Sequence, residues 1–367
     1  MLNIITKHKL VRPFVFIEEK QAKKNISMMA DKASRHGVVF RPHFKTHRSS
    51  AIGEWYRENG VNKITVSSVG MAKYFSECGW NDILIAFPVN IHEIDQISTL
   101  AKVNKISLLV DNKYSVQALE EKLSSPVNLM IKINTGYNRA GINCNNYDEI
   151  LDLAYTIERS DKLNLTGIIT HNGETYSSGG KSAIINSHEK SLGIMNDIKN
   201  KLSQKIRKKV ILSIGDTPGC KLSDNFDGVD EIRPGNFVFY DWMQFRYGVC
   251  EIDEVAAYLI APVVSVLDNP DRIVVYGGGV HLSKDAVVFN GNAEYGAAVI
   301  AGEKYKVGKL SQEHGVIEIE NLSKSKIKPG DWIKIIPVHS CLMLDMFKEY
   351  YTSSGLKISA MGKYFGE

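Results

Sequence analysis

The feature that most constrains this chain is a rhythm of short apolar runs. They begin at Val38, Lys63, Ile83, Ser107, Asn128, Leu165, Val210 and Phe237. Each is rich in Val, Ile, Leu or Phe and has the length of a strand buried on both faces. Between them lie stretches with helical spacing, such as those starting at Met71 and Ile91. Strand and helix in alternation mean parallel βα units. Eight such strands over roughly 200 residues is the count of a closed (β/α)8 barrel, with an open doubly wound sheet as the second choice.

After about residue 250 the pattern changes. Alternating runs at Tyr258, Arg272, Val316 and Asp331, with a Lys328-Pro-Gly-Asp turn, predict an all-β domain. The expected division is a barrel over residues 12–250 and a β-domain over 251–367, with residues 1–11 joining the latter. The run Pro13-Phe-Val-Phe-Ile precedes the barrel count and is free to pair with that domain.

With 367 residues and 44% hydrophobic composition, the chain has ample material for these cores. The net charge is only +4. Its densest basic stretch, Lys199 to Lys209, has no interleaved aromatics and reads as a solvated helix, so no nucleic-acid partner is expected. Five widely spaced cysteines without a Cys-x-x-Cys pair fit a reducing, cytoplasmic setting. No stretch approaches the ~20 apolar residues of a membrane span.

In a parallel barrel the chemistry follows the strands, at their C-terminal ends. Lys45 follows the first run, within Arg41-Pro-His-Phe-Lys-Thr-His47. Cationic neighbours lower a lysine's pKa and leave more free amine for Schiff-base formation. Arg139 lies in the turn Asn134-Thr-Gly-Tyr-Asn-Arg-Ala-Gly141, and His171-Asn-Gly-Glu-Thr-Tyr176 follows the next strand. The small loops Ser213 to Cys220 and Arg233 to Asn236 are of the kind that receives phosphate in barrels. In the C-terminal domain, Pro337-Val-His-Ser-Cys341 puts His339 and Cys341 at i and i+2. In an extended strand these share a face and suit zinc. Taken singly, each feature also has an ordinary reading as a surface lysine, a turn arginine, a Gly-Pro turn or a buried cysteine beside a histidine.

Together, in this order, the segments resemble the fold-type III pyridoxal-phosphate enzymes, the alanine-racemase-like barrels. Within these the chain looks most like the D-serine dehydratase and D-threonine aldolase family. Arg-Pro-His-Phe-Lys-Thr-His is similar to that family's cofactor-lysine segment. Gln312-Glu-His-Gly followed by Pro-x-His-x-Cys is similar to its metal-binding end. The resemblance implies a homodimer with active sites near the subunit interface, acting on a small amino acid. It implies Lys45 as the Schiff-base lysine and Arg139 facing the pyridine nitrogen. Gly215, Thr217, Gly235 and Asn236 would cradle the phosphate with Tyr240 nearby, and Tyr176 would border the substrate pocket. His339 and Cys341 would hold zinc. Aldolases of the family tend to carry Asp where Cys341 stands, and dehydratases Cys. The resemblance therefore implies dehydration of a D-β-hydroxy amino acid to a 2-keto acid and ammonia, with retro-aldol cleavage or racemisation as alternatives. The chain departs from the family pattern at Val338, where Asn is usual, and over Gly277 to Asp285, which brings His281 and Lys284.

Overall fold

The computed structural model describes residues 1–176, 179–268, 270–289, 291–319 and 326–362. The chain folds as two units. One comprises Met28–Lys45 and Gly53–Gly235; the other Met1–Ser27, Thr46–Ile52 and Asn236–Glu367. This division differs from the expected one. The second unit takes up more of the N-terminus, begins again at Asn236, and includes the few residues directly after Lys45.

The first unit is an α/β barrel. Its parallel strands run in the order Val39–Phe40, Glu231–Ile232, Ile211–Ile214, Leu163–Ile169, Val127–Asn134, Lys105–Val110, Asp82–Pro88 and Lys63–Val66. A parallel bridge between His43 and Thr65 joins the two ends, so the sheet is closed rather than open. Seven of the eight apolar runs are barrel strands. The eighth, at Phe237, is not. Asn236–Val238 is a buried 3-10 turn, and the barrel closes through Glu231–Ile232 instead. Leu84, Leu109, Met130 and Ile169 fill the barrel interior. Arg41 braces the strand starts, donating to Glu231 at 2.5 Å and Asp82 at 2.8 Å.

The basic stretch at Lys199 belongs mostly to the helix Lys181–Ile206, where Lys199 pairs with Asp230. No helix among the described residues is long and apolar enough to cross a membrane.

The second unit is built on a nine-stranded sheet, counted among the described residues. Ala257–Asp268 pairs antiparallel with both Asp271–Tyr276 and Trp332–Pro337. Phe14–Ile17 inserts beside it, antiparallel to Ala257–Asp268 and parallel to Glu349–Thr352. That strand is buried along its whole length, which its unbroken Phe-Val-Phe-Ile sequence requires.

Candidate functional site

Two centres emerge, one in each unit. In the barrel unit, the first strand leads into Pro42 to Lys45. Phe44 is fully buried, with ring centroids 4.9 Å from Phe75 and 5.0 Å from Trp80, and its N–H donates to Thr65 O at 2.8 Å. With Phe44 anchored inward, the next side chain turns out: Lys45 is exposed at the strand end, its own N–H donating to His43 Nδ1 at 3.3 Å. The expected cationic environment is only partly present. His47 is completely buried, which pushes its pKa down to about 3 and leaves it neutral.

His171, just past Leu163–Ile169, ties this centre together. Its Nδ1 lies 2.7 Å from Gly215 O. Its pKa falls well below the ordinary 6.5, first through burial and then through the positive charges of Lys45, Lys132 and Arg139. Tyr137 and Tyr176 both lie with ring centroids 6.0 Å from the imidazole. The guanidinium of Arg139 sits 5.2 Å above the Tyr137 ring. Tyr176 Oη accepts from Thr217 N at 3.0 Å. Thr217 opens the short helix Thr217–Leu222, which Asp216 caps by accepting from Gly219 N at 2.5 Å and from Thr175 Oγ1 at 2.9 Å. A Cβ on Gly215 would come within 2.8 Å of Arg233 Cβ, so only glycine permits the close approach of these two loops. Lys45, Arg139, Tyr176, Gly215 and Thr217 thus converge, and Gly235 is the last residue of the same unit.

Three residues of this centre were not singled out from sequence. His171 was noted only as part of its segment. Arg233 is buried, donating to Ser213 Oγ at 2.7 Å and Thr170 O at 2.5 Å. Lys132 lies inside the strand Val127–Asn134, where burial, with Arg233 and Arg139 adding to it, pulls its pKa down to about 7. A lysine within an apolar strand run was the available signal.

Asn236 and Tyr240 belong to the second unit. The side chain of Asn236 donates to Asp241 Oδ2 at 2.6 Å and Ser340 Oγ at 2.9 Å, and its Nδ2 is 3.9 Å from Cys341 Sγ. Its amide is therefore committed to the second centre and leaves only its backbone for a phosphate. Tyr240 is buried with φ 47, in the left-handed region, and its N–H donates to Asn236 O at 2.8 Å.

His339 and Cys341 are not strand neighbours. The strand ends at Pro337; His339 is the N-cap of the helix Ser340–Asp345 and Cys341 lies in its first turn. They nevertheless meet, sharing a side-chain hydrogen bond. Buried Asp241 fixes the turn: its Oδ2 accepts from Ser340 N at 3.0 Å while its Oδ1 accepts from Gln244 N at 3.0 Å. Thr46 Oγ1 is 3.2 Å from Cys341 Sγ. Asp285 Oδ2 lies 2.9 Å from His339 Nδ1. Burial alone would lower the His339 pKa, but its bonds to Asp285 and Cys341 outweigh this and hold it at about 10. The centre offers two donors, the His339 imidazole and the Cys341 sulfur, both of kinds that zinc takes, with the Asp285 carboxylate on the imidazole as an outer partner. Among the described residues no three of His, Cys, Asp or Glu lie where they could share one ion. The segment Gln312 to Gly315 packs against the glycines Gly277 to Gly279, with Gly277 N donating to Glu313 O at 2.9 Å.

The family model "Alanine racemase, N-terminal domain" matches residues 17–241, and "Putative serine dehydratase domain" matches residues 256–353. D-serine dehydratase of Dictyostelium discoideum is 29% identical, over 92% of each chain. D-threo-3-hydroxyaspartate dehydratase of Delftia sp. (strain HT23) is 25% identical, over 92% of this chain and 93% of its own. The solved structure of the Delftia enzyme superposes with a TM-score of 0.88 over 97% of this chain and 98% of its own, at 24% identity. D-threonine aldolase of Arthrobacter sp. is 24% identical, over 89% of this chain and 85% of its own. On the match of its barrel, the chain belongs to the alanine-racemase-like family of fold-type III pyridoxal-phosphate enzymes.

Proposed function

We propose that this chain is a pyridoxal-phosphate- and zinc-dependent lyase that removes water from a D-β-hydroxy amino acid, such as D-serine or a D-3-hydroxyaspartate, to give a 2-keto acid and ammonia. The observation that carries the reading is the presence of two built centres: the amine of Lys45 among Arg139, His171, Tyr176 and Thr217, and the pair His339 and Cys341 with its carboxylate. When bound, pyridoxal phosphate supplies an electron sink for charge at Cα, and zinc a Lewis acid for a hydroxyl.

The chain's own groups have distinct tasks. Exposed Lys45 would hold the cofactor through its aldehyde carbon. Once the substrate's own amine displaces it there, the freed Lys45 amine would be the base for the α-hydrogen, on the face where a D-amino acid presents it. Arg139 would face the pyridine nitrogen and, as a fixed cation, disfavour a proton there. Gly215, Thr217, Gly235 and the Asn236 backbone would hold the phosphate, with Tyr240 as a further partner. Tyr176, held by Thr217 N–H, borders the substrate. His171, neutral through burial and its cationic neighbours, adds no charge to a site already rich in cations. Cys341, where a carboxylate would suit other metals, favours zinc. We place the enzyme in the cytoplasm as a homodimer; none of its five cysteines forms a disulfide.

A panel of D- and L-β-hydroxy amino acids, with ammonia and aldehyde followed separately, tests this. Ammonia with a 2-keto acid from the D-isomers is the expected result. Glycine with an aldehyde from D-threonine would make the enzyme an aldolase.

A further inference from the structure

We propose that Asp285 is a positioning residue for His339: its carboxylate accepts the Nδ1 proton of the imidazole, fixes the tautomer, and leaves the second ring nitrogen for zinc. The inference rests on the zinc reading given above. Zinc takes an unprotonated ring nitrogen, so the proton on the second nitrogen would leave as the ion binds, and a carboxylate on Nδ1 keeps the remaining proton on that atom. Asp285 Oδ2 is 2.9 Å from Nδ1. The carboxylate is itself held: Oδ1 accepts from Ala286 N at 3.2 Å, and the Asp285 N–H donates to Ser283 Oγ at 3.2 Å. Both oxygens therefore have fixed partners, which is the arrangement that orients a metal-bound histidine.

The segment carrying Asp285 is built for this aim. Gly279 N donates to Ser311 O at 2.8 Å, and Val280 N to Gln312 O at 3.1 Å. A Cβ on Gly278 would stand 2.5 Å from Gln312 O, so the backbones pack more closely than any other residue permits. Ser283, with φ 71, then turns the chain in the left-handed region and brings Asp285 round to His339. The carboxylate is an outer partner and not a third ligand, since His339, Cys341 and Asp285 do not form a group that could share one ion.

The test uses the full-length protein and zinc alone. Zinc affinity is measured by competition with a chromophoric chelator for wild type, Asp285→Asn, Asp285→Glu and His339→Ala, with near-UV circular dichroism of each metal-free protein to establish folding. Asp285→Asn is expected to weaken zinc binding about 10- to 100-fold, with partial recovery in Asp285→Glu. Cobalt-substituted wild type and Asp285→Asn should share one visible spectrum, because the ligands are the same. An unchanged zinc affinity in folded Asp285→Asn would overturn the proposal. So would a cobalt spectrum altered in the manner of a lost ligand. Wild type binding zinc no better than His339→Ala would instead overturn the zinc reading itself, and this inference with it.

Discussion

Lys132 stands in the middle of an apolar strand, and its stem explains how it is tolerated: a Cβ on Gly141 would meet its Cγ at 2.9 Å, so the chain folds tightly over it. The cost is electrostatic. Its pKa falls from the ordinary 10.5 to about 7, burial first, with Arg233 and Arg139 adding to it. The folded state thus releases a proton that the unfolded state keeps between about pH 7 and 10.5, so stability rises with pH across that window. Lys132→Met keeps the stem and removes the charge. Its gain in unfolding free energy over wild type should be a few kcal/mol at and below pH 7, at ~1.4 kcal/mol per pKa unit, and should shrink steadily towards pH 10. Urea titrations at several pH values check this; a pH-independent difference would contradict it. Lys45 has the opposite exposure. Borohydride reduction of the enzyme followed by peptide mapping should mark Lys45, and a label on any other lysine would remove it from its role. Lys45 was legible because a motif surrounds it. Lys132, His171 and Arg233 were not, because their importance comes from being brought together by three different strands.

At the level of elements, periodicity found seven of the barrel strands, including the two-residue Val39–Phe40 within an apolar Val-Val-Phe run, and missed Glu231–Ile232. Glu231–Ile232 stands between Asp230 and Arg233 and shows no apolar run, while the more apolar Phe237 run nearby forms a buried turn. Burial explains both: an apolar run reports that it is inside, not that it is extended. The same limit affects His339 and Cys341. Their i, i+2 spacing suggested one strand face, yet they meet at a helix start whose amide is capped by Asp241, a residue almost 100 positions away. The Gly277 to Asp285 segment was legible only as an irregularity. Its backbone contact at Gly278 makes a sharp expectation: Gly278→Ala must push the Gln312 to His314 backbone aside. That overpacking should cost about 1–3 kcal/mol in urea unfolding and lower zinc occupancy. A variant with wild-type stability would show that the two segments have room to part.

On the scale of the whole molecule, the chain is threaded through both units more than once. The β-unit draws on three stretches of sequence, one of them directly following Lys45. Phe14–Ile17 was surplus to the eight-strand count and so free to pair with the β-unit, where it lies, although the expected boundary at residue 12 had counted it with the barrel. The short excursion at Thr46–Ile52 carries no such signature, since seven residues of mixed polarity have no period to read. The functional claim depends on both centres serving one reaction. The direct test is the rate of ammonia release from D-serine and D-threo-3-hydroxyaspartate by enzyme loaded with pyridoxal phosphate, before chelator treatment, after it, and after zinc is returned. Ammonia with an equal amount of 2-keto acid is expected, lost on chelation and restored by zinc. Full activity in the chelated enzyme, or chelator-insensitive interconversion of D- and L-alanine in place of ammonia, would contradict it.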